Sequence, residues 1–265
     1  MTQSPRVSIV FPPDTRVRIQ ATETYPYSAT GQLQLKFKAN PQTTYIGTGT
    51  LIGDTYVLTA AHNLWDSALG GYATSVVFTP GRNADAAPFG TAPASALYVP
   101  EDYITAAPPS LLTDPNGGVV KDVTPFLSDF ALIQLAKAAP LAAGRCRVQA
   151  YTDQTILNSP VILSGYPVDR QPAGSQWMWQ SQPGQVRPSG DSGEHFLFYT
   201  LSTYGGQSGA GLLIPDNTSR GICGVHVAGD AQLKTNFAVR INAENLDTIQ
   251  AWQHSGKMGH AMEDA

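Results

Sequence analysis

Apolar residues in this chain come in short runs, and nearly every run ends within a few positions at glycine, proline, asparagine or aspartate. With 25 glycines and 20 prolines in 265 residues, the backbone is broken too often for long helices. Gln32 to Phe37 alternates polar and apolar residues, as a half-buried strand does. Tyr45 to Ile52 and Tyr56 to Ala60 follow, with the hairpin signal Gly53-Asp54 between them. Further strands are expected at Ser75 to Thr79, Ala96 to Val99, Phe130 to Leu135, Arg147 to Tyr151 and Val161 to Ser164. Phe196 to Leu201, Gly211 to Ile214, Gly221 to Ala228 and Asn236 to Val239 complete the set. A dozen short strands separated by turn residues read as an all-β sandwich or barrel.

One segment carries a clear helical signature. Ala243 to His254 is preceded by Asn242 as a cap and followed by Gly256. Residues 80–93, 106–118 and 169–193 are rich in proline, glycine and polar residues and are expected to be surface loops. There is no internal repeat and no linker that divides the chain. The length suits one all-β domain or two small halves sharing an interface.

Sixteen Lys and Arg against 20 Asp and Glu give a net charge of −4 without a basic run, which argues against a nucleic-acid partner. No stretch approaches the roughly 20 apolar residues of a membrane span. Met1 to Arg6 is polar and lacks the apolar core of a signal peptide, so the expectation is a cytoplasmic chain, or a secreted one whose leader has been removed. Two cysteines, Cys146 and Cys223, are too few for a disulfide scaffold or a four-cysteine zinc site, and are expected to be reduced core thiols.

Chemistry concentrates in three places. In Leu58-Thr59-Ala60-Ala61-His62 an apolar strand runs through small residues into a histidine, which lets the imidazole sit at the rim of a core. In Ser128-Asp129-Phe130-Ala131-Leu132-Ile133-Gln134-Leu135 an aspartate leads into an apolar strand, where a buried carboxylate would require hydrogen-bond partners. In Tyr204-Gly205-Gly206-Gln207-Ser208-Gly209-Ala210-Gly211 glycines flank one serine, allowing an unusual backbone path and convergent N–H groups. Taken singly, each has an ordinary structural reading: a strand-end histidine, a turn aspartate, a glycine-rich loop.

Their order decides more than any one of them. Histidine, aspartate and serine succeed one another at spacings of 67 and 79 residues on an all-β background. Among unrelated hydrolase folds that order marks the chymotrypsin-like double barrel. With "TAAH", "SDFALIQL" and "GGQSGAG" in their places, the chain resembles the chymotrypsin-like serine proteases from about Thr30 to His254. The resemblance implies two six-stranded β-barrels, about 30–135 and 145–241, closed by the C-terminal helix 243–254. Residues 30–255 would form the protease domain, 1–29 a segment wrapping the barrels, and 256–265 a flexible tail. A second serine competes, since Gly190-Asp191-Ser192-Gly193 spells the signature usual in trypsin-like enzymes. Ser208 is preferred because Gly209 to Ile214 continues through small residues into an apolar strand, with Gly221 to His226 as a following pocket wall. After Gly193 come the bulky, charged Glu194 and His195.

Within that family the chain is most similar to the glutamyl endopeptidases of the staphylococcal and bacillar kind, on Leu201-Ser202-Thr203 and Gly224-Val225-His226. The trypsin-type pocket aspartate, six positions before the nucleophile, is here the neutral Ser202. A hydroxyl from Thr203 and an imidazole from His226 instead offer donors to a carboxylate. The resemblance thus implies Ser208 as nucleophile, His62 as base, Asp129 as its orienter, and Gly206 and Ser208 N–H groups as oxyanion hole. Thr203 and His226 would bind the substrate acid. Protein or peptide substrates, no metal, no organic cofactor and a monomeric state are expected. His195, His254 and His260 are read as a strand-start residue and two solvated ones. Two other functions are weighed: a protease preferring small or apolar residues, and a catalytically silent binding protein of the same fold. Gln207 stands where trypsin-like enzymes carry an activating aspartate, so that ion-pair switch is absent. The segment Pro12 to Val17 resembles the start of mature glutamyl enzymes, and cleavage after Arg6 to expose Val7 is expected to raise activity. The alternative for Met1 to Arg6 is a floppy terminus without a role.

Overall fold

The computed structural model describes residues 8–106, 111–114, 117–120, 122–170, 176–188, 194–215, 220–254 and 259–262, with 111–114 and 117–120 as backbone. The first six main strands are β1 (Thr30–Phe37), β2 (Tyr45–Leu51), β3 (Tyr56–Thr59), β4 (Gly71–Pro80), β5 (Ala92–Tyr98) and β6 (Ala131–Leu135). All their pairings are antiparallel. β1 pairs with β2 and β4, β2 with β3, β3 with β6, and β6 with β5. β5 then returns to β4 through Val77 opposite Pro93 and Phe78 opposite Ala92, closing a six-stranded barrel. Closure pairs each strand with two neighbours, leaving only part of β5 uncovered, and it orients every second side chain inward. Leu33, Leu35 and Phe37 of β1 follow that alternation and are buried with Leu51, Val57, Phe78, Leu97 and Ile133.

The second half is built from β7 (Ile162–Gly165), β8 (Trp179–Gln180), β9 (Arg187–Pro188), β10 (Phe196–Tyr199), β11 (Gly211–Pro215), β12 (Arg220–Asp230) and β13 (Thr235–Arg240). Their order across the sheet is β8-β7-β11-β12-β13-β10-β9. Val161, just ahead of β7, bridges Gly184, just ahead of β9, which draws the two ends together into a less regular barrel. One apolar core runs across both halves. Phe126, fully buried, meets Phe237 of β13 edge-on at 5.2 Å between ring centroids, and Phe237 meets Phe196 at 5.6 Å. Truncating such a phenylalanine costs about 3–5 kcal/mol.

The helix Ala243–His254 forms as the sequence reading has it, and Asn242 Oδ1 accepts the Asn245 N–H at 2.8 Å as its cap. Its Trp252 packs on Tyr98 and Phe130 of the first half, so the helix straps the halves together. Cys146 and Cys223 are buried thiols not joined by a disulfide, and burial pushes the Cys223 thiol up to about 12.

Five expectations need correction, the first being the surface loop at 169–193, which supplies β8 and β9 and buries Met178 and Val186 in the second half. Two further helices form, Glu101–Thr105 and Asp153–Asn158, too short to show helical periodicity; the second is capped by Thr152 Oγ1, which accepts the Thr155 N–H at 3.3 Å. The loop expected at 106–118 contains strand Leu111–Asp114, paired with Gly117–Val120, where flanking proline and glycine mask two four-residue runs. The strand expected at Arg147 to Tyr151 is two residues long and parallel to β12, since the chain turns away at once into the second short helix. Within the tail, His260 and Ala261 pair with Leu97 and Ala96 of β5, and the exposed His260 ring stacks on Tyr72 at 4.0 Å, because β5 offers an open backbone edge there.

Candidate active site

β3 ends at Thr59, and the fully buried Ala60 and Ala61 bring the backbone close under the first barrel's rim. A single turn, Ala61–Asn63, then presents His62. Across the barrel, the turn that opens β6 is closed by the Asp129 N–H bonding Phe126 O at 3.1 Å, which places Asp129 beneath the histidine. Asp129 is wholly buried, and both carboxylate oxygens are used: Oδ1 accepts the His62 N–H at 2.9 Å and Oδ2 meets His62 Nδ1 at 2.8 Å. A carboxylate on Nδ1 keeps the proton there and leaves Nε2 as the basic nitrogen. The sequence reading joined these two residues across 67 positions, and the structure brings them into direct contact.

Ser208 sits on the loop that leads into β11. Gly206 and Gly209 take positive φ of 98° and 86°. A side chain at Gly206 would collide with the Tyr166 carbonyl, and one at Gly209 with Thr59 Oγ1 and the Thr48 carbonyl, so only glycine serves at either position. The loop is stitched to the first barrel beside His62. Ser208 O accepts the Thr48 N–H at 2.9 Å and Asn63 Nδ2 at 3.0 Å, and Asn63 also donates to Thr59 Oγ1 at 2.9 Å. Thr59 in turn donates to Thr48 O at 2.8 Å. On the other flank, Gly209 N–H donates to His226 O at 2.8 Å.

Thr203 and His226 line the second-barrel side, and both are fully buried. His226 Nδ1 lies 2.7 Å from the Tyr199 hydroxyl. Burial, reinforced by the nearby His62, pulls the His226 imidazole down to about 3, so it is neutral at ordinary pH. Burial likewise drives the Tyr199 phenol well above its ordinary range, so the hydroxyl keeps its proton. His226 Nε2 and Thr203 Oγ1 have no partner at hydrogen-bond distance, although the Phe237 backbone lies near enough to the imidazole to favour its protonated form slightly. Gln207, where trypsin-like enzymes carry aspartate, accepts the Tyr204 N–H at 3.0 Å through Oε1, while its buried Nε2 is also unpartnered.

Residues 9–11 run beside this pocket. Ile9 O accepts the Thr203 N–H at 3.0 Å and Asn236 Nδ2 at 2.8 Å, and the Phe11 N–H donates to Ser202 Oγ at 3.0 Å. Ser192 and the Arg6-Val7 bond lie outside the described residues. Sequence reasoning missed Asn63, Thr48, Tyr199 and Asn236. Asn63 carried a signal, being a polar residue directly after the histidine; the others sit on or beside expected strands, and their partners lie across the fold.

Two barrels with a buried histidine–aspartate pair and a glycine-flanked serine in the crevice define a chymotrypsin-like serine peptidase. Residues 47–222 match the trypsin-like peptidase domain, and the chain belongs to that family. It is 27% identical to a glutamyl endopeptidase of Bacillus licheniformis over 95% of this chain and 71% of that protein. It is 26% identical to an extracellular metalloprotease of Bacillus subtilis over 94% of this chain and 71% of that protein. A solved Glu endopeptidase structure, in complex with MPD, superposes with a TM-score of 0.74 at 25% identity, covering 92% of this chain and 99% of that one. The protease Anisep from Arthrobacter nicotinovorans shares the fold, with a TM-score of 0.62 at 18% identity, over 83% of this chain and 93% of that one.

Proposed function

We propose that this peptidase cleaves after glutamate and, more weakly, after aspartate, with His62, Asp129 and Ser208 as its catalytic residues. The observation that carries the specificity is the pair of orphaned polar atoms, Thr203 Oγ1 and His226 Nε2, in fully buried side chains near Ser208. An unsatisfied buried polar group costs about 1–3 kcal/mol, so a pocket holding two of them gains most from a ligand that supplies acceptors. In the tautomer in which the Tyr199 hydroxyl donates to His226 Nδ1, the imidazole proton sits on Nε2. The pocket then offers one N–H and one O–H, both donors, and a carboxylate accepts both. The names of the glutamyl endopeptidase relative and of the Glu endopeptidase structure favour the same substrate. The name of the metalloprotease relative does not carry over, since no group of three or more His, Cys, Asp or Glu suited to a metal occurs among the described residues.

In the reaction, Ser208 Oγ adds to the peptide carbonyl while His62 Nε2 takes its proton, and Asp129 holds the imidazolium that forms. The N–H groups of Gly206 and Ser208 receive the developing oxyanion, a contribution of about 3 kcal/mol per donor. The tetrahedral centre collapses, the C–N bond breaks, and His62 returns its proton to the leaving amine. Water then repeats the sequence on the acyl-enzyme.

Docking of residues 9–11 against Ser202 and Thr203 also supports activation by cleavage after Arg6. A new Val7 amine would start two residues from Ile9 and add a cation beside the acid pocket. Full glutamyl activity in protein shown by intact mass to begin at Met1 would overturn that step. For the function itself, labelling with a fluorophosphonate is expected at Ser208, and a peptide library is expected to be cut after Glu first. No adduct would favour a silent binding protein, and cutting after small or apolar residues would remove the acid pocket.

A further inference from the structure

Arg16 has a wholly buried guanidinium and takes no part in the chemistry above. Its Nε and Nη2 donate to Asp14 at 3.0 and 2.8 Å, and its Nη1 and Nη2 donate to Asp169 at 3.0 and 2.6 Å. Arg170 Nη2 reaches Asp14 Oδ2, the oxygen that Arg16 Nη2 also meets, giving an alternating chain Asp169–Arg16–Asp14–Arg170. These contacts, the Arg16 hydrogen bond first among them, hold the Asp14 carboxyl well below the usual carboxylate range. The segment carrying Asp14 and Arg16 is itself anchored: Val17 pairs with Gln180, Arg18 with Trp179, and the Ile19 N–H donates to Met178 O at 2.9 Å.

The other end of the network touches the serine loop. Asp169 and Arg170 lie in the single turn Val168–Arg170, and the Val168 N–H donates to Gly205 O at 2.8 Å. The Tyr166 carbonyl fills the space where a side chain of Gly206 would stand, and Val168 Cγ1 lies 3.2 Å from the same point. Thr48 Oγ1 donates to Gly206 O at 2.7 Å and accepts the Tyr166 N–H at 3.2 Å. Residues 166–168 are therefore the wall against which Gly205 and Gly206 rest, and the ion network is what pins that wall to the N-terminal segment.

We infer that Arg16, through Asp169, is a positioning residue for the oxyanion hole: it fixes the Val168–Arg170 turn, and that turn fixes Gly205–Gly206. Gln207 is neutral, and the ion network reaches the loop through the turn Val168–Arg170, whose Val168 N–H bonds Gly205 O. Buried ion pairs are weak stabilisers but strict about geometry, so losing one partner displaces what it holds. Oxyanion donors act at 2.7–3.1 Å from the reacting oxygen, and small misplacements reduce turnover more than substrate binding.

The inference rests on the catalytic reading proposed above, and the test separates the two. Asp169→Asn, at the end of the network that carries the turn, Arg16→Met and Arg16→Lys are compared with the parent protein. The substrate is the best peptide amide from library profiling, and the inhibitor is a peptide aldehyde of the same sequence. Asp169→Asn is expected to lower kcat about tenfold with KM within twofold of the parent, a partial version of losing one oxyanion donor. Arg16→Met should lose more, and Arg16→Lys should fall between it and the parent. Aldehyde binding should weaken by the same factor as kcat, a split that a purely structural role would not give. Unchanged kcat in folded Asp169→Asn overturns the inference, as does a loss confined to KM. A fluorophosphonate adduct on Ser208 of the parent, together with such a result, means that the inference alone has failed. Absence of that adduct overturns the catalytic reading and this inference with it.

Discussion

On the first-barrel side of the crevice, Asp129 is buried and both its oxygens are bonded to His62. On the second-barrel side, Thr203 Oγ1, His226 Nε2 and Gln207 Nε2 belong to side chains equally deep and have no partner. The first arrangement is complete without substrate, as a preorganised base should be. The second is incomplete, and on the proposed reading it selects its substrate, because a site built to bond a polar group rejects analogues that leave it unpaired. The two sides differ in backbone as well. His62 hangs from a closed barrel, whereas the serine loop needs two left-handed glycines and stitching to Thr48 and Asn63 to keep its shape.

Losing the nucleophile, or breaking the complete His62–Asp129 side that serves it, should cost the most. Ser208→Ala should lower kcat by about 10⁶ with the fold intact, while Ser192→Ala should leave it unchanged, as steady-state kinetics beside circular dichroism will show. Asp129→Asn should cost about 10⁴ in kcat, because an amide no longer enforces the Nδ1–H tautomer. Changes on the incomplete side should act on selectivity. His226→Ala should reduce kcat/KM for a glutamyl peptide about 10²-fold more than for an apolar one. Equal losses on both substrates would make His226 structural. The smallest effect is on stability against pH. His226 is depressed to about 3 when folded and titrates near 6.5 when unfolded, so below about pH 6.5 the unfolded state binds more protons. Its contribution is complete above that pH and should be lost progressively as pH falls toward 3. Denaturant titrations of the parent and of His226→Gln should show a flatter acid limb in the variant.

Much of this was legible in the sequence, for reasons that name what was not. His62, Asp129 and Ser208 stood out because each sits in a local context that limits the backbone: small residues, a strand start, flanking glycines. Their order along the chain then fixed the double barrel. The helix at 243–254 was legible through its cap, which the Asn245–Asn242 hydrogen bond bears out. Helix Asp153–Asn158 was not, because six residues carry less than two turns of periodicity. Nor was the second-barrel detail, where β8 and β9 are two residues each, too short to show alternation, and β8 takes one partner from Val17–Arg18 near the N-terminus. Arg16 stood only inside Pro12 to Val17, the segment resembling the start of mature glutamyl enzymes. Only the fold brings Asp169, 153 positions away, onto its guanidinium.

The claim that the unpaired groups await a carboxylate is tested most directly by kcat/KM on three matched peptides. They are identical except for Glu, Gln or Leu on the N-terminal side of the cleaved bond. Gln has nearly the shape of Glu but brings donors as well as one acceptor and no charge, so pairing and charge change while shape is held. The account predicts that Glu exceeds Gln by about 10² or more and that Leu is poorer still. Equal rates for Glu and Gln, or a preference for Leu, would contradict it.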